Sequence, residues 1–288
     1  MLYLCSRFIV NTMSSLVQRT LSGAVYVGLV VASILVHPAF FGVLFALFCA
    51  LAVREFHHLV GSHRFATIMS IILALCLFGI FWCLANIDSM SLTTFAYLQC
   101  AYAFVLMLTL VAELFLKAKN PIANWGNVLS SQIMIALPFA LMNFVMQQSK
   151  WLLLALFITI WVNDTGAYCV GCSTAKLPKG NHKMFPRVSP AKSWEGLFGG
   201  FVFALLAGFI YFKVGWFDAM SQPLLTALLF AFSIAVFGTF GDLVESLLKR
   251  TIGVKDSGKF MPGHGGVLDR FDSLLLATPA VALLLLLI

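Results

Sequence analysis

Residues 224–250 read LLTALLFAFSIAVFGTFGDLVESLLKR. The stretch 224–240 carries no charge and is rich in Leu, Phe and Ala. A helix that crosses a bilayer needs about 20 mostly apolar residues, and this run continues as helix toward Leu248. In the continuation, Asp242, Glu245, Ser246 and Lys249 are spaced i, i+3, i+4 and i+7. That spacing puts them on one helix face. An ionisable group facing lipid is costly, so a polar stripe on such a helix points into a protein-lined cavity.

The rest of the chain fits the same frame. It has 288 residues, 61% of them hydrophobic and only 10% charged, whereas soluble domains carry roughly 25% charged residues. Nine apolar runs occur, at 21–36, 39–53, 66–84, 96–116, 123–145, 151–170, 197–212, 224–240 and 271–288. The reading is all-α: a polytopic integral membrane helical bundle of about nine transmembrane helices. His37-Pro38 divides the first two runs, because proline lacks the N–H that a continuous helix would use. With the N-terminus in the cytoplasm, 16 of the 18 Lys and Arg fall in cytoplasmic segments, and only Lys150 and Lys213 lie outside. The bias toward cytoplasmic basic residues selects this orientation. Residues 1–150 then form an N-terminal transmembrane scaffold. Residues 151–288 form a catalytic region with two cytoplasmic polar loops, 172–195 and 249–270.

The net charge of +7 suits anionic lipid headgroups. Nucleic acid is excluded as a partner, because the basic residues are spread over short loops and form no stripe. Seven cysteines give no complete disulfide framework. Cys169-Val-Gly-Cys172 has metal-like spacing but no second pair, and reads as packing at a helix end. Residues 2–10 lack the order of a secretory signal. They fit either an interfacial helix or a segment ahead of a start at Met13.

The chemistry concentrates after the eighth run. Lys249, Arg250, Lys255, Lys259 and Arg270 can neutralise phosphate charge, and the Arg side chains can do so bidentately. Gly263, Gly265 and Gly266 free the backbone to turn N–H groups toward an anion. Asp242, Asp256, Asp269 and Asp272 supply hard oxygen ligands suited to Mg2+. His264 can act as a general acid, hydrogen-bond a phosphate, or hold the loop. Upstream, Asp164 is an acid at membrane depth. It is either functional or a helix-end carboxylate reaching water. In the segment Ser189-Pro-Ala-Lys-Ser-Trp-Glu-Gly196, Ser189 is expected to cap a helix with Pro190 in its first turn. Lys192 and Glu195 would then be i, i+3 neighbours. This helix start is either a plain cap or, with Lys192, an anion site.

These residues carry a resemblance. Ser246-Leu-Leu-Lys-Arg250, Lys255-Asp-Ser-Gly258 and Met261-Pro-Gly-His-Gly-Gly-Val-Leu-Asp-Arg-Phe-Asp272 closely resemble the signature of the phosphatidate cytidylyltransferase (CDP-diacylglycerol synthase) family. Ser189-Pro-Ala-Lys-Ser-Trp-Glu-Gly196 and Asp164-Thr-Gly-Ala-Tyr168 are similar to its two upstream motifs. The N-terminal half matches only in hydropathy and in small echoes such as Gln18-Arg19 and Arg54-Glu55. The chain departs from the family at Met261 (Leu or Ile is usual), Asn181 (often Lys) and Cys172 (often Arg).

The resemblance implies a Mg2+-dependent reaction of CTP with phosphatidate, giving CDP-diacylglycerol and pyrophosphate, in the bacterial inner membrane with the site facing the cytoplasm. It also implies a homodimer and a paired-metal centre at Asp242 and Asp269, with K+ as an alternative occupant of the second position. On this reading Lys192, Lys249, Lys255 and Arg270 orient phosphates. Ser189, Arg250, Asp256, His264, Gly265, Gly266, Asp272 and Asp164 surround the substrates. Asp269→Asn is expected to abolish activity and leave the protein folded. A CTP-dependent lipid kinase or an isoprenoid-lipid cytidylyltransferase would use a similar site. An ion-coupled transporter would use Asp164 and Asp242 but leave the glycine-rich loop unexplained.

Overall fold

A computed structural model of the chain describes residues 20–178, 180–258, 260 and 265–288. Each of the nine apolar runs lies in a helix. These are α1 (Thr20–Val36), α2 (Pro38–Leu59), α3 (Arg64–Asn86), α4 (Leu92–Leu116), α5 (Pro121–Gln148), α6 (Lys150–Thr174), α7 (Trp194–Lys213), α8 (Pro223–Ile252) and α9 (Leu268–Leu287). All except the shorter α1 are long and apolar enough to cross a membrane. The chain is an all-α polytopic membrane protein.

Local chemistry sets the helix boundaries. His37 caps α2 through its ring Nδ1, which accepts the Ala39 N–H at 3.1 Å, and Pro38 opens the helix. Asn120 and Pro121 open α5 in the same way. A π-helical turn at Gln132–Ala136 interrupts α5. Helix α8 runs unbroken through the polar stripe and stops at Gly253, whose φ of +81° suits glycine at a helix C-terminus. Lys249 and Arg250 lie in its last turn, where cations complement the helix dipole.

One expectation is corrected here. Ser189 caps no helix. Residues Ser189–Ser193 form strand β2, which pairs antiparallel with β1 (Lys183–Phe185) in a small hairpin. Helix α7 starts at Trp194, and its N-cap is Ser193, whose Oγ accepts the Gly196 N–H at 3.1 Å. Lys192 therefore lies on a strand, and Glu195 is in the first turn of the helix. The physical reason is that two serines offer the same cap chemistry, and tertiary packing chooses between them. Met184 and Val188 bury against Leu197 and Leu243. The Glu195 carboxylate accepts the His182 backbone N–H at 3.0 and 3.1 Å. Both sets of contacts hold 183–193 as a hairpin.

The larger of two hydrophobic clusters among the described residues joins both halves of the chain. Phe45 of α2, Phe139 of α5, Phe157 of α6 and Phe271 of α9 form an aromatic cluster with ring centroids 5.0–6.4 Å apart. At the end of the bundle that carries Lys150 and Lys213, Trp151 stacks on Trp216 at 5.3 Å, as amphipathic rings do at a membrane interface.

Two glycines allow helices to approach closely enough to build the site. A Cβ on Gly200 of α7 would lie 2.6 Å from the Asn163 Oδ1 of α6. A Cβ on Gly241 of α8 would lie 2.6 Å from the backbone oxygen of Asp272 and 3.0 Å from that of Ser273. Backbone cannot yield as a side chain can. Gly241→Ala is therefore expected to destabilise the protein by about 1–3 kcal/mol, read as a lower thermal midpoint in detergent. Gly79→Ala meets nothing within 4 Å and should leave the midpoint unchanged or raise it slightly.

Candidate active site

A cavity of about 530 Å³ opens between α6, the hairpin, α7 and α8. Its wall includes Asp164, Asn181, Lys183, Lys192, Thr239 and Asp242. Asp164 and Asp242 each stand ten residues short of their helix ends at Thr174 and Ile252, about 15 Å along the axis at 1.5 Å per residue. The two acids line the same cavity from different helices.

Lys192 reaches into the cavity from β2. Its ammonium pairs with Asp242 Oδ2 at 2.7 Å and donates to the Thr239 carbonyl at 3.3 Å. Asp242 Oδ1 accepts the Ser246 hydroxyl at 3.1 Å, so the i, i+4 face read from the sequence is in place. Asp242 lies within electrostatic reach of both Asp164 and Asp272. Asp164, Asp242 and Asp272 thus lie near one another, and the Lys192 ammonium is paired with Asp242 among them.

A second cluster lies further along α8. The Lys249 ammonium is buried between Glu245 at 2.5 Å and Asp269 at 2.7 Å. Asp269 Oδ2 accepts two backbone N–H groups, from Ser257 at 2.9 Å and from Gly266 at 2.7 Å. Glu55 of α2 accepts the Val267 and Leu268 N–H groups at 3.0 and 2.9 Å. The loop does turn its N–H groups toward anions, with Gly265 at φ +83°. In this structure those anions are the protein's own carboxylates.

The remaining sequence-derived residues are distributed as follows. Arg250 ties the hairpin to the loop, with Nε donating to the Val188 carbonyl at 3.3 Å and Nη1 to the Val254 carbonyl at 3.2 Å. Arg270 is half-buried, and its Nε has no hydrogen-bond partner among the described residues. Lys255 and Asp256 are exposed on the loop. Lys259, Gly263 and His264 lie outside the described residues, as do residues 2–10 and Met13. Cys169 and Cys172 are free thiols on the exposed side of α6, and Cys172 lines the cavity. The structure therefore brings Asp164, Lys192 and Asp242 together in one group, and Lys249, Asp269 and Gly266 in another. Gly241, packed on Asp272, joins the two groups. Sequence reasoning missed Glu55 as part of this arrangement. Its only signal was an acid near the polar end of an apolar run, in the Arg54-Glu55 echo.

Among the described residues, no group of three or more His, Cys, Asp or Glu side chains is arranged to hold a metal. Mg2+ bound with a nucleotide takes only one or two carboxylates, the remaining ligands being phosphate oxygens and water. Asp242 fits that requirement, since each carboxylate oxygen has two lone pairs and Asp242 uses one on each oxygen, whereas Asp269 has both on Oδ2 taken by backbone N–H groups and keeps one free on Oδ1 beside Lys249.

A family model described as the cytidylyltransferase family matches residues 17–288. The chain belongs to that family. Among curated proteins it is similar to the phosphatidate cytidylyltransferase of Bacillus subtilis (strain 168), with 46% identity over 128 residues, covering 44% of this chain and 45% of that protein. The phosphatidate cytidylyltransferase of Haemophilus influenzae is 42% identical over 130 residues, covering 45% of this chain and 43% of its own. That of Staphylococcus aureus (strain COL) is 42% identical over 129 residues, covering 45% and 46%. The matched stretch spans just under half the length of each of these relatives.

Proposed function

We propose that this protein transfers the cytidylyl group of CTP to phosphatidate, giving CDP-diacylglycerol and pyrophosphate. The observation that carries the proposal is the cavity with Lys192 paired to Asp242 and Asp164 opposite. It lies within the membrane bundle and is bordered by a polar hairpin. Its size falls within the range of about 300–1,000 Å³ typical of ligand pockets. Membership in the cytidylyltransferase family and the names of the similar bacterial proteins point the same way.

The chemistry follows from the charges. A phosphatidate oxygen is already anionic at neutral pH, so it can attack the α-phosphorus of CTP without a strong base. One P–O bond forms at the α-phosphorus, and the bond to the β-phosphate bridge breaks, releasing pyrophosphate. The obstacle is the approach of two anions. Lys192, Lys255 and Arg270 neutralise and align phosphate oxygens for in-line attack. Asp164 and Asp272 orient these cations. Lys249 holds Asp269 in place. Asp242 and Asp269 would hold Mg2+, with K+ as an alternative in the second position, and the metal would neutralise phosphate charge when bound. We place the site on the cytoplasmic side of the bacterial inner membrane. The strong bias of Lys and Arg to one side of the bundle supports this, and CTP is a cytoplasmic nucleotide.

The test uses the purified full chain in micelles containing phosphatidate, Mg2+ and CTP. Pyrophosphate release that requires both CTP and phosphatidate is expected. Absence of release, with cation-coupled uptake in reconstituted vesicles, would overturn the proposal in favour of transport.

A further inference from the structure

We infer that Glu55 is a positioning residue of the transfer reaction, fastening the N-terminal half of the chain to the loop that presents Asp269 and Arg270. The inference rests on the proposed reading of that site as a cytidylyltransferase centre.

Glu55 is half-buried near the end of α2. Its carboxylate makes three hydrogen bonds to residues more than 200 positions away in sequence. Oε1 accepts the Val267 N–H at 3.0 Å. Oε2 accepts the Leu268 N–H at 2.9 Å and the Ser257 hydroxyl at 3.1 Å. The first N–H groups of a helix have no partner within the helix, and α9 has no side-chain cap of its own. Glu55 supplies one from another helix, placing a negative charge at the positive end of the α9 dipole.

The same carboxylate closes the loop. Ser257 is gripped twice, at its N–H by Asp269 and at its hydroxyl by Glu55. The two arms of the loop, 254–258 and 265–268, therefore converge on two acids. The glycines at this point record how close the approach is. A Cβ on Gly258 would lie 2.6 Å from Glu55 Oε1, and a Cβ on Gly266 would collide with Glu55 Oε2. The backbone at these two positions passes close over the Glu55 carboxylate, and at Gly266 closer still to the Ser257 hydroxyl.

Asp269 and Arg270 sit in the first turn of α9. Whatever fixes the start of α9 fixes the direction of both side chains. Both Glu55 oxygens are taken up by Ser257, Val267 and Leu268, so its effect on the reaction passes through the backbone of 267 and 268. A misplacement of about 1 Å at a reacting centre can lower the rate by about 10²-fold.

The experiment compares Glu55→Gln, Glu55→Ala and Glu55→Asp in the full chain in detergent. The Gln variant keeps the shape but turns an NH2 group toward backbone donors, so it carries the test even where Ala fails to fold. Glu55→Gln should lower kcat by about 10²-fold while KM for CTP stays near the wild-type value, and Glu55→Asp should recover part of the loss. Trypsin should cut after Lys255 faster in Glu55→Gln, because the loop is no longer fastened. Wild-type kcat in Glu55→Gln, or cleavage after Lys255 at the wild-type rate, overturns the inference. A wild-type protein that makes no CDP-diacylglycerol overturns the reading of the site instead, and the cleavage measurement still decides whether Glu55 holds the loop.

Discussion

Asp242→Asn is expected to cut cytidylyl transfer by about 10²–10³-fold, the size of losing one preorganised electrostatic contact, while leaving the fold nearly unchanged. The side chains of Lys192 and Asp242 are 25% and 31% exposed, so their pairing contributes only about 0–1 kcal/mol to stability. Asparagine has the same shape and can still accept the Ser246 hydroxyl. The charge that faces Lys192 and any bound cation is what disappears. The check is kcat alongside the thermal midpoint of the same preparation. Wild-type turnover with a wild-type midpoint would remove Asp242 from the site.

Asp269→Asn should behave differently, and here the structure revises the expectation drawn from sequence. That expectation was an inactive but folded protein. Asp269 is the partner of a buried lysine and the acceptor of two backbone N–H groups. Its amide replacement would leave Lys249 with Glu245 alone and set an NH2 group against backbone donors. Removing one partner of a buried ion pair costs about 3–5 kcal/mol. A marked fall in thermal midpoint is therefore expected together with loss of turnover. Retention of the wild-type midpoint would show that the Lys249–Asp269 pair does not hold the loop. For separating charge from folding, Asp242 is the better position to mutate.

Much of the fold was legible in the sequence, because membrane solvation imposes a coarse rule. Lipid accepts no unsatisfied backbone, so each apolar run of sufficient length must be helix. His37-Pro38, Asn120-Pro121 and Gly253 mark their boundaries by local chemistry alone. The face shared by Asp242, Ser246 and Lys249 followed from helical spacing. The hairpin at 183–193 was not legible. Ser189 and Ser193 carry the same cap signal, and the choice between them depends on Met184 and Val188 packing against α7 and α8.

The glycine-rich loop shows what local reading misses. Its composition points to N–H groups turned toward a phosphate, and the N–H groups of 266–268 instead meet the protein's own carboxylates. Composition could not indicate that those carboxylates include Glu55, whose partners lie on the far side of the chain in sequence. Asp164 and Lys192 were recognised separately as candidates, and their meeting with Asp242 in one cavity depends on α6–α7 and α8–α9 contacts made close by Gly200 and Gly241.

The most direct measurement uses CTP labelled with 32P at the α or the γ position, incubated with the purified protein and phosphatidate. Cytidylyl transfer predicts that the α label enters the lipid product and the γ label leaves as pyrophosphate. Entry of the γ label into lipid, with none from the α position, would contradict it and mark the protein as a CTP-dependent lipid kinase.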